Sequence, residues 1–172
     1  MQILLVGGTG VLSTAVTTEA LNNKIGVTMI NRGNRPIPFG VEHIRAEKKD
    51  YVTIARAISG RKFDAVIDFL CTADEDTEAS VKFYINYTNQ YFYISSCAVY
   101  DTRVMNGKYC EEDCPKVLPM WSYSVGKWNS EQKIKKLFEK LKSNYTIIRP
   151  CVTKEICCYG NDYINYYQKD DI

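Results

Sequence analysis

Short apolar runs alternate with amphipathic stretches along almost the whole chain, and that alternation constrains the fold more than any other feature. The apolar runs are Ile3–Val6, Gly26–Ile30, Val41–Arg45, Phe63–Phe69, Gln90–Ser95 and Tyr145–Arg149. Between them lie helical patterns over Val11–Asn22, Tyr51–Ile58, Glu75–Tyr87 and Ser122–Leu141. Strands that alternate with helices pair in parallel, because a parallel pair needs a long crossover. Phe63–Phe69 is nearly all apolar, as a strand covered on both faces must be. Right-handed crossovers then predict an α/β fold, a doubly wound parallel sheet of order 3-2-1-4-5-6 between two helical layers. Ligands of such sheets bind outside the carboxyl ends of the strands, where the order reverses.

Composition narrows the function classes. The chain has 172 residues, 45% of them hydrophobic and 24% charged, and a net charge of +2. That balance suits one domain with a sizeable core, and so small a charge implies no field for binding nucleic acid. Lys127–Lys142 is locally basic, but Glu131 and Glu139 interrupt it at helical spacing, which predicts a solvated helix face. No run approaches the roughly 18 apolar residues of a membrane span. The opening Met1–Val6 run lacks a basic lead-in and meets glycines at once, unlike a secretory signal. A soluble, cytoplasmic protein is expected.

The chain carries seven cysteines. Cys71, Cys97 and Cys151 fall in or just after apolar runs, where a free thiol packs as a small hydrophobe. Cys110 and Cys114 have a C-x-x-x-C spacing open to a metal pair, but the one histidine is the distant His43, and a zinc site takes about four ligands. Reduced structural thiols and no metal are expected.

Gly7-Gly8-Thr9-Gly10-Val11-Leu12-Ser13 closes the first strand and opens the first helix. Gly7 permits a tight turn, and Gly10 lets a phosphate approach the backbone. The helix then offers unpaired N–H groups and the positive end of its dipole. This segment resembles the G-x-x-G-x-x-G fingerprint of the extended, and related atypical, short-chain dehydrogenase/reductases, the NAD-dependent epimerase/dehydratase-like group. Gly7 and Gly10 match it, and the small Ser13 stands for the third glycine. The resemblance implies a Rossmann domain binding a nicotinamide dinucleotide, with Gly7, Thr9, Gly10, Val11 and Leu12 around the pyrophosphate.

The second strand ends at Asn31-Arg32, where NAD-preferring relatives carry an acidic residue for the ribose. A guanidinium there suits a 2′-phosphate instead, so NADP is expected, with NAD as the alternative. Arg35 stands near enough in sequence to assist. The resemblance also implies that Glu47, after the third strand, accepts from the adenine amino group. Phe69 and Leu70, at the end of the fourth, are expected to flank the adenosine and nicotinamide ribose.

Ser96 lies three residues before Val99-Tyr100 at the end of the fifth strand, and Tyr123-Ser124-Val125-Gly126-Lys127 forms a Y-x-x-x-K in the long helix. Spacing of i and i+4 puts Tyr123 and Lys127 on one helical face. A phenol of ordinary pKa, ~10, is a poor base at neutral pH, and an ammonium beside it favours the phenolate. By resemblance, Ser96 holds the substrate oxygen, Tyr123 moves the proton, and Lys127 activates the tyrosine while binding the nicotinamide ribose. Arg149-Pro150 also matches the family, whereas Cys151–Glu155 departs from its usual Tyr-Gly-Pro continuation, for which Tyr159-Gly160 is a displaced candidate.

Residues 1–150 are therefore expected to form the NAD(P)-binding domain and residues 151–172 to begin a substrate-binding region. Relatives continue for well over a hundred further residues, so the 172-residue chain is expected to bind cofactor with little turnover. Two function classes stay open. One is an NAD(P)-dependent oxidoreductase, epimerase or dehydratase acting on a small molecule such as a nucleotide sugar, as a monomer or a homodimer. The other is a cofactor-binding module that senses redox state or binds a partner without turnover.

Overall fold

A computed structural model describes residues 1–71, 74–101, 121–141 and 143–150. The loop over Asp101–Pro119 with Cys110 and Cys114 lies almost wholly outside these, and the Cys151–Glu155 segment, Tyr159-Gly160 and the region 151–172 lie outside them entirely.

Six strands form one wholly parallel sheet: β1 Gln2–Val6, β2 Gly26–Asn31, β3 Val41–Arg45, β4 Ala65–Asp68, β5 Gln90–Ile94 and β6 Asn144–Ile148. Their order is β3-β2-β1-β4-β5-β6, as the alternation predicts. The helices are α1 Val11–Asn22, α2 Tyr51–Ala57, α3 Asp74–Tyr84 and α4 Ser122–Leu141.

Alternate side chains of β1 feed two cores, because successive residues of a strand point to opposite faces. Ile3 and Leu5 join Ala20 of α1 with Val27 and Met29. Leu4 and Val6 join the larger core, which holds Ile54 of α2, Val81 and Tyr84 of α3, and Ile134 and Phe138 of α4. Among the described elements, one helix thus covers one face and three cover the other. The β1 residues Leu4 and Leu5 are fully buried, and each such side chain contributes roughly 1.5–3 kcal/mol of transfer free energy.

Three elements differ from the sequence reading. The fourth strand is shorter than Phe63–Phe69, because the Asp68 carboxylate takes the chain out of the ladder: its Oδ1 accepts from the amides of Leu70 and Cys71, each at 2.9 Å. Phe63 keeps only an isolated parallel bridge to Thr88. The helix expected over Glu75–Tyr87 ends as α at Tyr84 and finishes as a 3₁₀ turn, Ile85–Tyr87, where Asn86 Nδ2 donates back to the carbonyls of Lys82 and Phe83.

The third difference matters most. The basic stretch on α4 is not wholly a solvated face: Lys136, Glu139 and Lys140 are exposed, but Lys127 and Glu131 are buried. They share the inward row of the helix with Ser124, Ser130, Ile134 and Phe138. Charges tolerate that position because each has partners on another element. Alternating charge along a sequence does not report which charges have such partners.

Candidate active site at the carboxyl end of the sheet

β1 ends in a turn that only glycine takes without strain. Gly7 has φ +100° and Gly8 φ +123°, the left-handed side of the map, and the Gly7 amide donates to Ile30 O at 2.9 Å. A Cβ on Gly7 would stand 3.1 Å from Leu70 Cγ and 3.2 Å from Phe69 Cβ. A Cβ on Gly10 would meet only Ser13 Oγ, at 3.5 Å, so that glycine opens towards the cleft. Ser13 substitutes for the third glycine by folding back. Its Oγ accepts from the Gly10 amide at 2.9 Å and it is buried. Gly10, at the N-cap, has no side chain to accept from the first amides of α1, and the first turn holds no acidic residue, so those amides and the dipole are left to an anion in the cleft.

A cleft of about 620 Å³ opens along this carboxyl edge, within the usual roughly 300–1,000 Å³ of small-molecule sites. The structure brings together there Gly7, Thr9, Gly10, Val11, Leu12, Asn31, Arg32, Phe69, Leu70, Ser96, Tyr123 and Lys127. Glu47 is placed elsewhere: it lines an adjoining groove of about 440 Å³ with Arg32, Asn34, Arg45 and Ala46. Lys48 and Arg35, by contrast, line the main cleft.

The Asn31-Arg32 end is cationic. Arg35 is drawn across the turn by a 2.5 Å bond from Nη1 to Thr9 O. Arg45 Nε donates to Arg32 O at 3.1 Å, which fixes the backbone that carries the Arg32 side chain. Asn31 Oδ1 accepts from Gly33 N at 2.7 Å and is 3.0 Å from His43 Nε2. Its Nδ2 is buried with no hydrogen-bond partner among the described residues. A buried donor with no acceptor is costly, and this one borders the cleft.

At the other end, Ser96 caps a 3₁₀ turn over Cys97–Val99, its Oγ accepting from Ala98 N at 3.1 Å. That bond occupies a lone pair and not the O–H. The phenol ring of Tyr123 is partly exposed, and Trp121 packs against it at 5.5 Å between centroids. Lys127 is 3% exposed. Its Nζ donates to Ile94 O at 2.7 Å and Cys71 O at 3.1 Å, and lies 5.9 Å from the Tyr123 ring and 5.0 Å from the Tyr93 ring. Burial is the largest influence on its ammonium and lowers its pKa, against the opposing charges of Asp68 and Glu131. Cys71, beside it, is pushed up to about 12 by burial and by Asp68.

Two buried carboxylates organise this end, and the sequence reading assigned neither. Asp68 is 1% exposed and, besides the two amides, Oδ2 accepts from Ser80 Oγ at 2.7 Å and Tyr91 OH at 3.0 Å. Glu131 is 0% exposed. It forms a two-point pair with Arg149, Nε to Oε1 at 2.9 Å and Nη2 to Oε2 at 2.7 Å, and accepts from Ser95 Oγ at 2.5 Å. Glu131 stands four residues after Lys127, a spacing legible in the sequence, but its partners arrive from β5 and from the end of β6.

A doubly wound sheet with a glycine turn opening its first helix, at the point where strand order reverses, defines the class of nucleotide-binding α/β domains. Within that class, the chain belongs to the NAD dependent epimerase/dehydratase family, which it matches over residues 3–153. Its fold is that of solved UDP-glucose 4-epimerases. It is similar to the enzyme from Bifidobacterium longum in complex with NAD⁺ and UDP, with a TM-score of 0.72 at 20% identity, covering 87% of this chain and 52% of that one. The UDP-Glc/GlcNAc 4-epimerase from Campylobacter jejuni gives a TM-score of 0.73 at 15% identity, covering 86% of this chain and 52% of that one. In sequence, the chain is 27% identical to the chloroplast stem-loop binding protein of 41 kDa b from Arabidopsis thaliana, over 87% of its own length and 41% of the relative's. It therefore spans about half the length of its structural relatives and less of this sequence relative.

The cleft fits the dinucleotide that the family name implies. A helix start with glycine at its N-cap faces it, Gly10 leaves room for a close approach, and the buried Asn31 Nδ2 lacks, among the described residues, an acceptor that an adenosine could supply.

Proposed function

We propose that the chain is the cofactor-binding unit, residues 1–150, of an NAD(P)-dependent nucleotide-sugar epimerase or dehydratase, with residues 151–172 beginning its substrate-binding part. The observation that carries this reading is that Ser96, Tyr123 and Lys127 line one cleft with the Gly7–Leu12 turn. A bound nicotinamide would supply the hydride acceptor and donor for this chemistry. Lys127 spends two N–H bonds on main-chain carbonyls, which leaves the third for the nicotinamide ribose. Its charge beside the Tyr123 ring favours the phenolate form. Tyr123 then takes the proton from a substrate hydroxyl at its phenolic oxygen, and Ser96 donates its O–H to the same substrate oxygen. Arg32, with Arg35 beside it, binds a 2′-phosphate, so NADP is preferred.

Calorimetric titration of the 172-residue chain tests the binding step. NADP should bind, and Gly10→Asp, which puts a side chain and a negative charge against the pyrophosphate, should abolish binding. Equal affinity of the two proteins, or none by the native chain, sinks the reading. Arg32→Ala should weaken NADP by roughly 1.5–3 kcal/mol, the worth of a charge-assisted contact, and leave NAD almost unchanged. In a protein that carries the substrate half as well, Tyr123→Phe should lower turnover about 10²–10⁴-fold while cofactor affinity holds.

A second reading has one observation in its favour, the likeness to the Arabidopsis stem-loop binding protein. On that reading the chain is a cofactor-responsive module that binds a partner without turnover. A gel-shift titration with a stem-loop RNA, with and without NADP, separates the two: tight, cofactor-dependent retardation supports the module, and its absence supports the enzyme.

A further inference from the structure

Among the described residues, the Glu131 carboxylate is the most deeply buried charge that the proposed chemistry does not use. It is not an isolated ion pair. Ser95, which donates to it, is the residue before Ser96. Arg149, its ion-pair partner, donates through Nη1 to Tyr100 OH at 2.7 Å, at the far side of the 3₁₀ turn that Ser96 caps. Arg149 also precedes Pro150, whose carbonyl accepts from the Cys97 amide at 3.0 Å and whose ring borders the cleft. The Ser96 turn is thus held before, within and after itself by groups that converge on one carboxylate. That carboxylate sits on α4, one helical turn from Lys127 and two from Tyr123.

We propose that Glu131 is a positioning residue whose carboxylate clamps the Ser96 turn, through Ser95 and Arg149, to the helix carrying Tyr123 and Lys127. This rests on the assignment of those three residues to one active site. The clamp settles a geometric problem. Ser96 comes from the end of β5 and the other two from a helix, and an error of about 1 Å in such a constellation costs on the order of 10²-fold in rate. Hydrogen bonds from Ser95 and Arg149 to one buried carboxylate fix the register of both elements at once.

The clamp has an electrical side as well. Lys127 is faced by Asp68 from β4, by the Cys71 thiol after β4, by Lys48 after β3, by the Tyr93 ring of β5, and by Tyr123 and Glu131 of its own helix. Burial and Asp68 push the thiol's pKa up to about 12, so the charges that hold the ammonium's pKa up against burial are those of Asp68 and Glu131. Glu131 therefore favours the charged ammonium that the cofactor ribose requires.

The test uses two variants of the 172-residue chain. Glu131→Gln keeps the shape but leaves the Arg149 charge buried without its counter-ion. The double variant Glu131→Leu/Arg149→Leu replaces the pair with apolar groups, an exchange that is often neutral or stabilising for folding. The pH titration of Lys127 is read directly by NMR of a chain labelled at lysine Nζ, and NADPH affinity by fluorescence. The clamp predicts that the double variant melts near the native temperature yet binds NADPH about tenfold more weakly. It also predicts that Lys127 loses its proton at lower pH in the double variant than in the native chain, and at lower pH still in Glu131→Gln. A double variant that folds with native NADPH affinity and a native Lys127 titration would overturn the proposal and leave the pair a packing feature. If the native chain binds no NADPH, the cofactor reading falls, and the order of the three Lys127 titrations still decides the role of Glu131.

Discussion

At Gly7 a single methyl group decides whether the turn forms. The residue has positive φ and the Cβ it lacks would press on Leu70 and Phe69. Gly7→Ala is expected to cost about 1–3 kcal/mol, read as a lower urea midpoint at unchanged slope. Lys127 and Cys71 make opposite contributions to stability against pH. The ammonium's pKa is lowered on folding, so between that folded value and the ordinary lysine value of ~10.4 the unfolded chain holds more protons, and stability rises with pH. The thiol's pKa is raised to about 12, so above its ordinary ~8.5 the folded chain holds more protons, and stability falls as pH climbs through that window. Urea midpoints measured from neutral to alkaline pH should show the lysine rise disappear in Lys127→Met. Both groups could be named from the sequence, Lys127 as part of Y-x-x-x-K and Cys71 as a packed thiol. Their protonation could not, because it is set first by burial and then by Asp68 and, for Lys127, by Glu131, all of which depend on contacts across the fold.

The elements themselves were written plainly. Each apolar run became a strand and each stretch between them a helix, because run length and the punctuating glycines and prolines separate the two in this chain. What period cannot show is where a side chain breaks the ladder. Asp68 ends β4 by capturing two amides, and Asn86 tightens the end of α3 into a 3₁₀ turn. On α4 the positions of Tyr123 and Lys127 were legible, but the helical pattern mixed Glu131 with the exposed Lys136 and Glu139. The inward row is tested by Ile134, fully buried against the sheet. Ile134→Ala should cost about 2–5 kcal/mol, a transfer loss plus a cavity, whereas Glu139→Ala on the outer row should change stability by less than about 0.5 kcal/mol. Thermal or urea unfolding of the two variants distinguishes them.

On the scale of the whole molecule the cleft is a seam. The glycine turn and Arg32 come from strands before the reversal of order, and Ser96, Tyr123 and Lys127 from elements after it. A ligand that spans the seam binds only the folded chain, so it should stabilise by about 2.7 kcal/mol at a hundredfold excess over Kd. For a chain of this size that is a rise in melting temperature of roughly 5–10 °C, readable by thermal shift with NADPH and absent in Gly10→Asp. The seam also has a history in time. β1 is central, and its partner β4 brings Asp68 beside Val6 from far along the chain. During synthesis at roughly 5–20 residues per second, the apolar edge of β1 that faces β4 stands without its mate for seconds after β2 has docked on the other side. An uncovered strand edge is a template for pairing with a neighbour. A nascent chain of this topology is thus most exposed to aggregation, and most in need of chaperone cover, while β4 is still inside the ribosome.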